Sequence, residues 1–261
     1  MRAWTRDHPL AFAVIGVALA IAGTTVLDAV GFGLNVLPLI PLFFICWYLQ
    51  GLSRTEVGLV WGRPRDYGLA VLYPLLVLTL ISLIAWVSRA ATVTAIDWGS
   101  ALANFAMQLV LTAIFGVVTE EGVFRGWLWA ALDRAGVARL GVMALTSAAF
   151  GLWHLSTALL PTAFHPAFAQ VPIYVANATV IGFVWAQMRE RSGSIVVTSI
   201  SHAFWNAFVY VLFGYGTTVG VFGIHNTLVY GPEIGFVGLA ANLAFAAALR
   251  FAFRRPGTVR A

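Results

Sequence analysis

Lysine is absent from this chain of 261 residues, and cysteine occurs once. A single thiol excludes an intramolecular disulfide, and Cys46 sits in an apolar run with no polar sequence neighbours to activate it. Charge is scarce as well: 10% of residues are charged, against 61% hydrophobic. A mean hydropathy of +0.89 excludes an ordinary water-soluble domain. No low-complexity tail and no internal repeat stands out. The formal excess of +5 is not gathered into a basic face of the kind nucleic acid requires, so no nucleic-acid partner is expected. The HExxH signature of zinc peptidases is missing too.

Apolar runs fill the chain instead. Their number and lengths predict an all-α, polytopic membrane helical bundle of about eight transmembrane helices, built as a single transmembrane domain over 1–261. The expected helices run from about Pro9 to Val30, Asn35 to Leu49, Leu69 to Val87, Phe105 to Ala130, Leu140 to Leu159, Pro172 to Met188, Gly193 to Phe213 and Ile234 to Phe253. Pro38 and Pro41 are expected to kink the second. The first reads as a membrane helix rather than a cleaved signal peptide. The polar stretch from Gly51 to Tyr67 reads as an interfacial segment, with Leu52, Val57, Leu59 and Trp61 available to the membrane surface.

Arginine supplies the orientation. With the N-terminus cytoplasmic, eight spans put Arg2, Arg6, Arg54, Arg63, Arg65, Arg134, Arg139, Arg189, Arg191, Arg250, Arg254, Arg255 and Arg260 on the cytoplasmic side. Arg89 falls outside and Arg125 is buried. Both termini are therefore expected in the cytoplasm.

Ionisable residues inside the apolar runs mark function. The stretch from Val118 to Trp129, VTEEGVFRGWLW, holds two adjacent acids and an arginine. On a helix Glu121 and Arg125 are at i,i+4 and can pair along one face. Glu120 lies about 100° round and is left free. His154 lies in the next run, and His202 and Asn206 lie one turn apart two runs later. At a rise of about 1.5 Å per residue, Glu120, His154 and His202 lie roughly 15, 21 and 14 Å above the cytoplasmic helix ends. Within a boundary error of a few residues they can meet near mid-membrane. A free carboxylate beside an imidazole can hold and deprotonate a water. A second His and an Asn can donate to a developing oxyanion. That set describes acyl hydrolysis without a Ser or Cys nucleophile. The same residues are open to other readings: one zinc on Glu120, His154 and His202, a proton relay in a transporter, or a polar network that glues helices in a non-proteolytic scaffold. Gly122 and Gly126, at i,i+4, predict close approach of another helix.

EEGVFRG resembles the EExxxR motif of the CAAX-protease and bacteriocin-processing (Abi) family of intramembrane proteins. Phe150 to His154 resembles its FxxxH motif, and His202 to Asn206 its HxxxN motif. The motifs occur in the family's order on separate predicted helices and mark a catalytic core at about 105–211. The resemblance implies an intramembrane glutamic-type endopeptidase. In that family Glu120 and His154 would activate water, His202 and Asn206 would form the oxyanion site, and Glu121 and Arg125 would organise it. No metal or other cofactor is then expected. The partners implied are the lipid bilayer and a membrane-associated peptide or protein substrate, which needs a lateral or cytoplasmic opening. The all-arginine, alanine-rich composition suggests a high-GC bacterium, hence the bacterial inner membrane.

Overall fold

In the computed structural model, residues 1–93, 96–216 and 218–252 are described. The expected end of the last helix at Phe253, and Arg254, Arg255 and Arg260, lie outside them. The chain runs α1 (Arg2–Asp7), α2 (Pro9–Ala29), α3 (Leu39–Gln50), α4 (Pro64–Val87) and α5 (Trp98–Val118). A π-helical segment (Glu121–Leu128) follows, then α6 (Trp129–Arg134), α7 (Arg139–Trp153), α8 (Leu155–Leu159) and α9 (Val171–Ser192). The remainder is α10 (Ile195–Phe208), a second π-helical segment (Val209–Phe213), a two-residue hairpin of β1 (Gly214–Tyr215) and β2 (Thr218–Val219), α11 (Thr227–Tyr230) and α12 (Phe236–Ala252).

Among the described residues six helical runs are long and apolar enough to cross a membrane: 9–29, 64–87, 98–134, 139–159, 168–192 and 195–213. Two shorter apolar helices, α3 and α12, lie at the other two runs expected to span, and within the described residues neither reaches that length. The protein is a multi-pass membrane helical bundle. Its surface carries large exposed apolar side chains, such as Leu72, Leu76, Leu80, Leu83 and Trp86 along α4. A water-facing helix would not keep that stripe, whereas lipid solvates it.

The two ends of the bundle are stitched differently. At the arginine-rich end, Arg134 pairs with Glu56 at 2.7 Å and Nη1 donates to the Gln50 carbonyl. Arg63 pairs with Asp66 at 3.0 Å, and Ser194 Oγ donates to the Val60 carbonyl. At the opposite end the links join through backbone: Thr92 N–H reaches the Phe222 carbonyl, and His225 N–H the Ala90 carbonyl. Within the bundle, Tyr73 donates to Asn242, Asn242 to Asn177, and Asn177 to the carbonyls of Pro232 and Glu233. That buried amide chain ties the link before α12 to α4 and α9.

Several local expectations are corrected. Helix α3 begins at Leu39 with Pro38 as its N-cap, so Pro41 lies in the first turn, where no backbone donor is needed, and neither proline kinks the helix. Leu52 and Val57 are buried in the core; of the four residues offered to the membrane surface, only Trp61 is highly exposed. Helix α9 continues through Arg189, which is buried rather than in a polar turn. Its Nε donates to the Arg125 carbonyl and its Nη2 to the Glu56 carbonyl.

The close approach expected at Gly122 and Gly126 is made by Phe43 of α3. A Cβ at Gly122 would stand 3.2 Å from the Phe43 ring and 2.6 Å from the Val117 carbonyl oxygen. Gly122→Leu should therefore lower the thermal midpoint in detergent, by overpacking worth about 1–3 kcal/mol. An unchanged midpoint would show that the helices have room to separate.

Candidate active site

The long run 98–134 is not one regular helix. Helix α5 ends at Thr119, whose φ of −107° and ψ of −105° break the α geometry, and its hydroxyl donates back to the Phe115 carbonyl. The π-helical segment starts at Glu121. Such segments widen the helix and recur at functional sites. Here the break turns the two adjacent acids toward different surroundings.

Glu121 and Arg125 are fully buried and pair at 3.3 Å. The Arg125 guanidinium lies over the Phe150 ring at 4.1 Å and the Trp185 ring at 5.3 Å. A Cβ at Gly182 would come within 2.8 Å of its Nη2, so α9 accommodates this arginine through a residue that the motifs do not mark. His202 Nδ1 is 3.2 Å from Glu121 Oε1, and its ring stacks on Trp185 at 4.2 Å.

Glu120 faces the other way, with about 15% of its side chain exposed. Its Oε2 is 4.0 Å from His154 Nε2 and 3.9 Å from His202 Nε2. His154 stands at the break between α7 and α8, and its Nδ1 is 2.8 Å from the Phe150 carbonyl. A carbonyl only accepts, so Nδ1 carries the proton and Nε2 is left as an acceptor toward Glu120. Asn206 lines the same cavity, and among the described residues its amide makes no side-chain hydrogen bond. The structure thus brings all six sequence-derived candidates together. The contact of His202 with Glu120 is the expected one; its second contact, to Glu121, was not anticipated.

The cavity that these residues line is small, about 60 Å³, and is walled by Phe150, Tyr174, Trp185, Trp205 and Tyr210 around the polar groups. Glu120 and Asn206 also border a groove of about 890 Å³. This groove runs between Leu37 and Ile40 on one side and Leu111 and Phe115 on the other, and reaches the links at 33–36 and 218–221. The opening is therefore lateral and toward the end opposite the arginine-rich links, not toward the arginine-rich end. Glu233, which no motif marks, also lines the small cavity. Its only sequence signal was a lone acid beside Pro232 in an apolar stretch.

For a metal the fit is poor. Zinc at about 2.0–2.2 Å from each ligand would hold neighbouring donor atoms about 3.3 Å apart. The Glu120 to imidazole separations are wider, and among the described residues no group of three His, Cys, Asp or Glu is set to hold an ion.

A membrane helical bundle with carboxylates and imidazoles converging on a buried cavity is the class that the fold and site define. Residues 102–208 match the family model described as Rce1-like, type II CAAX prenyl endopeptidase Rce1-like. The matched segment, less than half of the chain, contains all three motifs and is similar to this family of membrane proteases, the one its motifs resemble. No curated protein and no solved structure matches the chain.

Breaking the Glu121–Arg125 pair strands a charge at zero exposure. Glu121→Ala and Arg125→Ala should each destabilise the fold by about 3–5 kcal/mol. Folded yield and thermal midpoint in detergent measure this. Normal values for both variants would show that the pair is not structural.

Proposed function

We propose that the protein is an intramembrane glutamic-type endopeptidase that cleaves a membrane-associated peptide or protein, with its catalytic core at about 105–211. The observation that carries this reading is the pair of acceptors, Glu120 Oε2 and His154 Nε2, 4.0 Å apart at the inner end of the lateral groove. A water placed between them makes a hydrogen bond of about 2.8 Å to each. Glu120 takes a proton from that water as its oxygen attacks the substrate carbonyl carbon. The oxyanion forms against Asn206, whose amide is uncommitted, and against His202 Nε2. His202 donates there while donating to Glu121 from Nδ1, which requires the imidazolium form. Collapse of the tetrahedral intermediate breaks the C–N bond, and Glu120 returns the proton to the leaving amine. The Glu121–Arg125 pair holds His202 and the π-helical segment in register.

The mechanism uses no metal. A lateral groove fits a substrate that is itself in the bilayer. The arginine-rich links at 51–67, 134–139 and 189–193 assign that end, and with it both termini, to the cytoplasm. The lysine-free, alanine-rich composition supports a bacterial inner membrane.

Glu120→Gln should lower cleavage of membrane-peptide substrates by at least about 10²-fold with the fold intact. Comparing membrane proteomes of cells carrying wild type and E120Q identifies the substrate; full activity of E120Q would overturn the mechanism. A difference in a transported solute with no difference in any peptide would replace protease by transporter. Asn206→Ala should cost about 2–4 kcal/mol of transition-state stabilisation, read as kcat/KM. For metal, elemental analysis of active, chelator-washed enzyme should find no stoichiometric ion. Near one zinc per chain, with activity lost on stripping and regained on zinc addition, would refute the metal-free assignment.

A further inference from the structure

Hydrolysis inside a bilayer consumes one water per peptide bond, and a substrate lying in the lateral groove closes that route to the site. A second cavity adjoins the groove, sharing Tyr215, Thr218 and Val219 with it, and reaches the site past a different residue. This cavity, of about 240 Å³, opens among the links on the side of the groove, lined in part by His165, Gln170, Thr218 and Thr227. Glu233 is the residue that lines both this link-side cavity and the small cavity of the site. Its backbone is fixed independently of its side chain, since Asn177 Nδ2 donates to the carbonyls of Pro232 and Glu233. Its carboxylate accepts from Trp205 Nε1 at 2.9 Å and, among the described residues, has no ion-pair partner. An acid is not needed to anchor an indole, because any acceptor does that. A carboxylate with one oxygen committed is suited to hold a water with the other.

We propose that the link-side cavity is the water port of the active site, and that Glu233 is a positioning residue at its inner end, passing water to Glu120 while substrate fills the groove. The balance is that of simple hydrolysis: one water enters, one acid and one amine leave, and Glu233 ends each cycle unchanged. This rests on the protease reading. The titratable groups within electrostatic reach of Glu233 are Tyr73 on α4, Tyr174 on α9, Tyr210 on the second π-helical segment, Tyr215 on β1, Glu120, and His202 on α10.

Two measurements test the port, and the first does not depend on proteolysis. In sealed vesicles, Glu233→Cys should react with a small charged methanethiosulfonate reagent from one side only. That side should be the one from which Ser88→Cys, in the exposed link after α4, is modified. Native Cys46, buried in α3, should stay unreactive. Absence of modification, or modification from the other side, would overturn the port whatever the enzyme does. In the second, Glu233→Gln keeps an acceptor for Trp205 but cannot carry a proton or a negative charge. It should lower kcat about ten-fold with little change in KM and shift the pH profile of kcat. Wild-type kcat and an unchanged profile for E233Q, even with a defective Glu233→Leu, would reduce Glu233 to an indole anchor and overturn the positioning role. Failure of the wild type itself to cleave any membrane peptide would count against the protease reading, with the labelling result standing apart.

Discussion

The arrangement around the site hangs on one buried ion pair. Glu121 and Arg125 are both fully enclosed, and burying two charges is repaid only by their contact and by what else satisfies them. The Phe150 and Trp185 rings cover the guanidinium, and Gly182 leaves the slot in which it fits. The carboxylate also takes His202, which fixes one imidazole of the site. Yet Arg125 Nε and Nη2 find no hydrogen-bond acceptor among the described residues, and besides Arg125 and His202 the Glu121 carboxylate has only the Thr198 hydroxyl near it. A pair so incompletely satisfied is a poor source of net stability. It is better understood as a positioning device whose cost is borne for the site.

The helix irregularities follow the same logic. In a bilayer a broken helix must find partners for the backbone groups it frees. At Thr119 the backbone N–H keeps the Phe115 carbonyl and the hydroxyl shares it, whereas at His154 the backbone N–H turns to the Gly151 carbonyl and the ring Nδ1 takes the Phe150 carbonyl instead. The His154 break is thus closed by a side chain at the break itself. That closure does more, because it sets the His154 tautomer and so decides that Nε2 faces Glu120 as an acceptor. A backbone repair and the chemistry of the site are the same hydrogen bond.

The two ends of the bundle divide the remaining work. The arginine-rich end is cross-linked by ion pairs and by guanidinium-to-carbonyl bonds, with the buried Arg189 joining the π-helical segment to the link at 51–63. The opposite end is held by backbone bonds, by the hydrogen-bonded side chains of Asp28, Asn35 and Thr157 and by short elements, and there the groove and the link-side cavity open. Rigid support on one side and access on the other suit the proposed cleavage of a membrane-associated chain.

Composition and pattern alone settled the environment and the membrane-bundle class, because long apolar runs have no stable alternative to helices in lipid. Spacing alone also singled out Glu120, Glu121, Arg125, His154, His202 and Asn206, since buried ionisable groups are too expensive to be incidental. The Glu121–Arg125 pair was legible because four residues bring two side chains together along a helix. Other features arise from contacts between distant segments, which no local pattern encodes. The π-helical turn, the Gly182 slot, the bridging position of His202, the burial of Arg189 and the direction of the groove are of this kind. So is Glu233: an isolated acid in a link has no periodicity to read. The hydrogen-bonded chain from Tyr73 through Asn242 and Asn177 helps to bring its backbone to the wall of the small cavity. The physical reason is that sequence periodicity reports which face of a helix is apolar, whereas the neighbour that meets that face is chosen by packing of the whole bundle.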